Sequence, residues 1–186
     1  MPKLTEASRR RRREQIAGAA LRLFERDGFE RTTIADIIEE SGLSAGAIYT
    51  HFDNKADLVR FVAESKFNEA YPELMNAERK VRSPAEVLEL AFGSAYDPSV
   101  APIAVQVFAM AARSEDLADL AAERTTAIRG LITRLLTPWA EQQEGLQLDD
   151  IARLLMTILQ GRVVSVALDP DFDDRTIIRA VRAAFG

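Results

Sequence analysis

The stretch from Thr32 to Lys55 limits what this chain can fold into more than any other part of its sequence. Thr33 and Asp36 have the spacing of a capping box, in which two residues satisfy each other's backbone N–H groups at the start of a helix. The isoleucines that follow share one face of a helix: Ile34, Ile37 and Ile38. The pattern predicts a short amphipathic helix that begins after Thr33.

A glycine turn follows this helix. Gly42 stands where a helix ends in the left-handed conformation, and Ser44 can cap a second helix only two residues later. Two helices joined by so short a turn cannot be collinear, so the stretch predicts a helix-turn-helix. The second helix of such a motif has the right width to enter the major groove of DNA. We therefore expect a protein that reads DNA.

The same stretch closely resembles the DNA-binding signature of TetR-type (TetR/AcrR) transcriptional regulators. The residues that carry the resemblance are the run from Gly42 to Phe52, then Asn54, Lys55 and Leu58, preceded by Gly28, Phe29, Thr32, Thr33 and Ile37. A helix-turn-helix alone is a weak signal. The glycine turn, the short helix of small residues, the Tyr-x-x-Phe pair and the lysine together are specific to this family.

The resemblance implies an all-α fold of about nine helices, with an N-terminal three-helix DNA-binding module and a larger helical domain for ligand binding and dimerisation. We expect a flexible basic arm at residues 1–13, the DNA-binding domain at 14–55 and the second domain at 56–186. The first helix should run from about Glu14 to Asp27, where Gly28 ends it. Its apolar stripe must pack on the three isoleucines, because a short helix is not stable alone in water.

The charge of the chain is unevenly distributed. The net charge is −5, but residues 1–13 carry +5 and the remaining 173 residues −10. Local potential within a Debye length decides whether a polyanion binds, so the acidic total does not exclude DNA. The run Arg9–Arg13 can be a solvated tail or an arm that contacts phosphates or the minor groove. Its proximity to the helix-turn-helix favours the arm.

The second helix has small residues at its tip, Ala45, Gly46 and Ala47. Glycine costs a helix about 1 kcal/mol relative to alanine. Close approach to DNA and simple packing explain Gly46 equally well from the residues alone, and the resemblance favours DNA. Phe52 is expected in the core, whereas the Tyr49 ring can pack while its hydroxyl reaches a phosphate. The residues predicted to contact DNA are Arg9, Arg10, Arg11, Arg12, Arg13, Thr33, Ser44, Ala45, Gly46, Tyr49, Thr50, His51 and Lys55.

Three of these predictions depend on position. His51 is the only histidine, and a lone histidine is usually a surface residue, but its place in the second helix favours a contact to phosphate or a base edge. Lys55 follows a cap at Asn54, and a cation in a first helical turn opposes the helix dipole unless a phosphate lies nearby, which is how the family uses this lysine. Thr33 can donate to a phosphate at the start of its own helix.

Beyond residue 56 the apolar periodicity predicts only helices. We expect them at about 56–79, interrupted by Pro72, from Pro84, at 101–112, at about 117–137 before Pro138, at 149–167 and at 174–185. The last two present a broader apolar face than one core needs, and Gly161 permits close backbone approach. This face can pack within one chain, but the resemblance implies a homodimer. The predicted interface consists of Leu155, Ile158, Leu159, Arg162, Val163, Val166, Ile178, Val181 and Phe185.

By resemblance, the middle helices should enclose a pocket for a small molecule, although aromatic residues at helical spacing are commonly core. The pocket candidates are Phe67, Tyr71, Phe92, Tyr96, Gln106, Phe108, Met110, Arg113 and Trp139. A ligand that prefers a state with altered spacing of the two DNA-reading helices would release the operator. The expected function is therefore a ligand-responsive repressor of a near-palindromic operator, with an activator of the same fold as the alternative.

Composition disfavours several other classes of protein. There are no cysteines and one histidine, which leaves no cysteine nucleophile, disulfide or histidine-rich metal site, so we expect no cofactor and no metal. A helical enzyme using carboxylates is the remaining catalytic alternative, but its acidic pairs are adjacent and do not converge on a helix. A DNA-packaging protein would hardly carry a large acidic body. With no signal peptide or membrane-spanning run visible, we expect a cytoplasmic protein and no membrane partner.

Overall fold

The computed structural model describes residues 6–77, 81–93, 100–169 and 171–185, and the side chains of these residues except at 67–70, 72 and 100. The described residues form helices and no strand, which confirms the all-α fold class. The helices are α1 Glu6–Asp27, α2 Ile34–Ser41, α3 Ala45–Tyr49, α4 Lys55–Ala70, α5 Pro72–Met75, α6 Pro84–Ala91, α7 Val100–Ala111, α8 Glu115–Ala140, α9 Leu148–Leu168 and α10 Asp174–Phe185.

The chain divides into two compact units, Met1–Ser65 and Lys66–Gly186. The division lies inside α4, ten residues beyond the boundary predicted at residue 55. Helix α4 runs through that boundary without a break, and the apolar residues of its first half are buried: Leu58, Val59, Val62 and Ala63. The boundary was predicted where the charge and the apolar pattern of the sequence change, whereas a compact unit ends where its side chains stop packing on one another.

The first unit is built on α1, which packs along α2. The buried stripe of α1 is the predicted one: Ile16, Ala19, Ala20, Leu23 and Phe24. The start of the helix was predicted wrongly, because α1 begins at Glu6 rather than near Glu14 and the arginine run is helical. Arginine is a good helix former, and Arg10 donates through Nε to Glu14 Oε1 at 2.9 Å.

The second unit has one apolar core, to which α5, α6, α8, α9 and α10 contribute buried side chains. Helix α9 packs against α6, α7 and α8, and α10 packs against α6. Pro72 separates α5 from α4 as predicted, so the described residues form ten helices where about nine were expected. Ser83 caps α6 with Pro84 at its first turn, also as predicted. Pro138, which was expected to end or bend this helix, does not end α8, which continues to Ala140.

Helix α9 is, among the described residues, the one element long and apolar enough to span a membrane. Much of it is a core helix of the second unit, where Leu155 and Leu159 are almost fully buried. Its buried face also includes Arg162.

Candidate DNA-binding surface

Helix α2 begins with the predicted capping box. The Thr33 backbone N–H donates to Asp36 Oδ2 at 2.7 Å, and the Asp36 N–H donates to Thr33 Oγ1 at 3.2 Å. The hydrogen bonds that the Asp36 carboxylate accepts from the Thr33 backbone N–H and hydroxyl lower the pKa of this carboxyl. The Thr33 hydroxyl also donates to Asp36 Oδ2, at 2.8 Å. Because its hydrogen is already donated, Thr33 can donate to a phosphate only by exchanging this bond.

The turn and the cap of α3 also follow the sequence prediction. Gly42 has a φ of 66°, in the left-handed region, and its N–H donates to Glu39 O. Ser44 is the N-cap of α3, and its Oγ accepts from the Ala47 N–H at 3.2 Å. The side chain of Gln15 in α1 donates to Ser41 O at 3.2 Å, so the end of α2 is also tied to α1. These local bonds set the direction in which α3 leaves the turn.

Helix α3 turns one apolar side inward and leaves its tip exposed. Ile48 and Phe52 are buried, with 0% and 1% of their surface exposed, whereas Tyr49 is 54% exposed. Ala45 and Gly46 are exposed at the first turn. This separation of anchors from exposed residues leaves the small tip and Tyr49 available to an external partner.

Gly46 has no packing role within the described part of the chain. A Cβ atom placed there would meet nothing within 4 Å, apart from its own helix and chain neighbours. An alanine would fit and would favour the helix by about 1 kcal/mol. The packing explanation for this glycine therefore has no support in the described residues.

Thr50 and His51 follow at the end of α3. The Thr50 hydroxyl donates to Gly46 O at 2.7 Å, so in this geometry it offers an acceptor and a methyl group rather than a donor. Such a side chain suits a base amino group or a thymine methyl better than a phosphate. Burial, followed by the nearby Arg13, Arg12 and Arg9, lowers the pKa of the His51 imidazole.

Lys55 lies in the first turn of α4, as predicted. Its Nζ donates to Glu30 O at 3.4 Å, in the turn between α1 and α2. Burial lowers the pKa of the Lys55 ammonium, and the carboxylates of Glu30 and Asp36 partly oppose this effect. The ammonium thus lies beside the start of α2 near two acids. Asn54 caps α4 by accepting from the Asp57 N–H at 2.9 Å, also as predicted.

The five arginines of the run Arg9–Arg13 have different surroundings, which the sequence reasoning did not foresee. Arg9, Arg10, Arg11 and Arg12 are exposed, whereas Arg13 is partly buried. The Arg13 guanidinium lies 4.7 Å from the ring centre of Phe52 and 4.5 Å from that of Phe61. The sequence did indicate that Arg13 would be partly buried, because this residue lies three positions before Ile16 on the apolar face of the helix.

The predicted interface residues fall into two groups in the second unit. Leu155, Leu159 and Val181 belong to its buried core, and Val163 is also buried. Arg162 is 5% exposed and pairs with Asp174. The remaining members are half-buried: Ile158, Val166, Ile178 and Phe185. The exposed apolar residues of α9 are others, which the sequence analysis did not select: Leu154, Val164 and Leu168.

The pocket candidates are spread over several helices of the second unit. Tyr71 and Trp139 are buried in the core, and the Tyr71 hydroxyl donates to Leu159 O at 3.4 Å. Phe92 is half-buried beneath the Arg162 guanidinium. Three candidates on α7 are half-buried: Gln106, Phe108 and Met110. Arg113 is exposed. Tyr96 lies outside the described residues, and the side chain of Phe67 is not among those described.

The geometry of α2, α3 and the α1 arginines is that of a helix-turn-helix DNA-binding module, followed by a helical unit. Residues 16–62 match the model of "Bacterial regulatory proteins, tetR family". Residues 84–185, more than half of the chain, match the model of "BetI-type transcriptional repressor, C-terminal". The chain therefore belongs to the TetR family of bacterial regulatory proteins.

Individual relatives agree with this assignment. The HTH-type transcriptional regulator TtgR of Pseudomonas putida is 46% identical over 65 residues, which cover 35% of this chain and 31% of the relative. This chain spans about a third of the length of TtgR and of the uncharacterized HTH-type transcriptional regulator YfiR of Bacillus subtilis, which it also matches. The nicotine-responsive transcriptional repressor HdnoR of Paenarthrobacter nicotinovorans is 26% identical over 165 residues, covering 86% and 85% of the two chains. Salmonella enterica GusR shares the fold, with a TM-score of 0.76, 20% identity and coverage of 97% and 98%.

Proposed function

We propose that the protein is a cytoplasmic, ligand-responsive transcriptional repressor that binds a near-palindromic operator as a homodimer. A small, largely apolar molecule that binds the second unit would release the operator. The observation that supports DNA binding is the open space around Gly46. A glycine weakens α3, and nothing in the described part of the chain requires a glycine at this position. Close contact between the α3 backbone and a duplex accounts for it.

The homodimer rests on the outer side of α9. Leu154, Gly161, Val164 and Leu168 are exposed and follow one another at helical spacing along the side opposite the buried stripe. A Cβ atom at Gly161 would meet nothing within 4 Å in the described chain, so this side permits close approach of a second backbone. Two-fold symmetry would place the same stripe of both copies face to face.

The response to a ligand rests on the family and on relatives. The C-terminal match is to a repressor type, and HdnoR, which aligns along most of both chains, is named for its response to nicotine. A ligand acts on DNA binding only through a difference in its affinity for the two states of the repressor. The effector proposed here is therefore a molecule that binds the operator-free state more tightly.

A binding selection tests the DNA-reading part. The purified full chain is incubated at low salt with a pool of randomised duplexes, and bound duplexes are sequenced. We expect an enriched sequence with two-fold symmetry and half-sites about 34–36 Å apart or a multiple of this. Recovery of no preferred sequence would refute the proposal.

A matched pair of glycine variants tests the role of Gly46. Gly46→Ala should weaken binding to the selected duplex, whereas Gly18→Ala, in α1, should not, because a Cβ there makes only an ordinary contact at 3.9 Å.

The dimer is tested by sedimentation of Leu154→Glu against Leu146→Glu, since both leucines are 40% exposed but Leu146 lies in the loop before α9. Only Leu154→Glu should give monomers.

A further inference from the structure

The arginines of the run Arg9–Arg13 lie on two different sides of α1. Arg9, Arg12 and Arg13 precede Ile16 by seven, four and three residues, so they continue the side of the helix on which Ile16 is fully buried. Arg10 and Arg11 fall outside this stripe. Arg10 pairs instead with Glu14, and its side chain is 82% exposed. The helical conformation therefore places the five arginines of this run on different sides of α1, which a flexible arm would not do.

Arg13 joins this side of α1 to the residues that follow α3. Its guanidinium lies over both Phe52 and Phe61, whose ring centres are 5.5 Å apart with the rings inclined at 66°. Phe52 is 1% exposed and closes the turn after α3, while Phe61 is on α4. The Arg13 Nε atom is buried and makes no hydrogen bond within the part of the chain that the structure describes. A guanidinium placed over two rings suits a packing role, which a lysine cannot reproduce.

The arginines on this side of α1 lie close to the end of α3. After burial, the charges of Arg13, Arg12 and Arg9 lower the pKa of the His51 imidazole. The side of α1 that Arg13 holds in place thus directs positive charge toward the DNA-reading helix.

We infer that Arg9 and Arg12 contact the DNA backbone beside α3, that Arg13 is a positioning residue that holds them there, and that Arg10 and Arg11 make no DNA contact. The inference rests on the proposed DNA binding and states which arginines take part in it. Arg13 acts through its contact with two aromatic rings rather than through a phosphate. The five adjacent arginines therefore differ in role even though they carry the same charge.

The salt dependence of DNA binding tests the division of the arginines. The dissociation constant of the full chain is measured between 50 and 200 mM salt on a mixed-sequence duplex about three helical turns long. Arg9→Gln and Arg12→Gln should each lower the slope of log Kd against log salt by about 1 for each protomer bound. Arg10→Gln and Arg11→Gln, which remove the same charge, should leave the slope unchanged. Equal effects of all four variants would overturn the division.

A neutral substitution tests the positioning role. Phe61→Leu changes no charge but removes a ring face from Arg13, and Arg13→Lys keeps the charge but removes the planar group. Each should lower the slope by about 1.8 for each protomer, since each of two phosphate contacts contributes about 0.9, so that the loss of affinity between 50 and 200 mM salt shrinks by roughly 12-fold for each protomer. A general loss of stability would not change the slope in this way, and melting curves identify any variant that fails to fold. A wild-type slope in both variants would refute the positioning role.

His51 provides a second measurement that needs no DNA. It is the only histidine, so its proton resonances can be followed by NMR in the full chain without assignment. Phe61→Leu should raise the pKa of His51 toward its ordinary value, because the arginines are no longer held beside it. An unchanged pKa would contradict the positioning role even if the wild-type chain bound no DNA, whereas absence of DNA binding by the wild type would contradict the proposed function alone.

Discussion

The ion pair between α9 and α10 allows a quantitative prediction. Arg162 donates from Nε and Nη2 to the two carboxylate oxygens of Asp174, both at 2.7 Å, and its guanidinium lies 4.6 Å from the Phe92 ring centre. The arginine side chain is 5% exposed and the aspartate 25%. Asp174→Asn keeps the size of the side chain but removes the negative charge that faces a buried guanidinium.

The expected cost follows from this burial. Removing one partner of a buried ion pair costs about 3–5 kcal/mol, because the remaining charge stays out of water. Asp174 keeps a quarter of its surface exposed, so water partly compensates and we expect about 3 kcal/mol. For a unit of this size that corresponds to a fall in melting temperature of about 10 °C.

Urea unfolding followed by the fluorescence of Trp139 measures this cost. Trp139 is the only tryptophan and belongs to the core of the second unit, so its emission reports that unit. The matched control is Asp149→Asn, since Asp149 and Arg153 form a pair at 2.7 Å on the same helix with about 60% of each side chain exposed. We expect the control to cost less than about 1 kcal/mol. Protein concentration must be held constant, because a dimer links stability to concentration.

Equal costs for Asp174→Asn and Asp149→Asn would refute this reasoning. A second outcome separates charge from packing. Arg162→Met combined with Asp174→Leu replaces both charges by apolar groups and should recover most of the stability, as such replacements do for other buried pairs. A double variant no more stable than Asp174→Asn would show that the shape of the pair, rather than the unpaired charge, decides the cost.

Two further predictions concern the first unit. Gly42→Ala should lower its stability by about 1 kcal/mol, measured by thermal unfolding against Gly18→Ala, because a residue with a Cβ is strained at a φ of 66° although its Cβ would meet nothing; equal stability of the two variants would contradict this reason. For His51, whose pKa is lowered in the free protein by burial and by the arginines of α1, a phosphate bound nearby should raise the pKa. Operator affinity should therefore increase as the pH falls through about 6.5, while the free protein loses stability over the same range because unfolding takes up a proton. His51→Gln should abolish both effects, and persistence of the pH-dependent affinity would show that His51 makes no such contact.

Local structure was largely predictable from the sequence. The capping box of Thr33 and Asp36, the left-handed Gly42 and the cap at Ser44 were all predicted and are all present. Each depends on residues no more than three positions apart, so its energy is nearly independent of the rest of the chain. The bounds of α9 and α10 were likewise predicted to within a residue.

The surroundings of single side chains were less predictable. The arginine run was expected to be flexible, but Arg13 packs on Phe52 and Phe61, which are 39 and 48 residues further along the chain. Leu155 was assigned to a partner chain and is in the core of its own, while Leu154 is exposed. Periodicity shows that a helix has an apolar face, and both residues satisfied that criterion. It does not show which part of a broad face packs inside the chain.

The sequence by itself therefore determined the all-α class, the caps on either side of the turn and the motif that makes this chain a member of the TetR family, because those features arise from neighbouring residues and from the period of the helix. Only the tertiary structure decided which apolar stripe of α9 is internal, which arginines of α1 lie beside α3, and that Arg162 is paired with Asp174. These contacts join residues on different helices, and the free energy of each depends on burial, which exists only after the helices have packed.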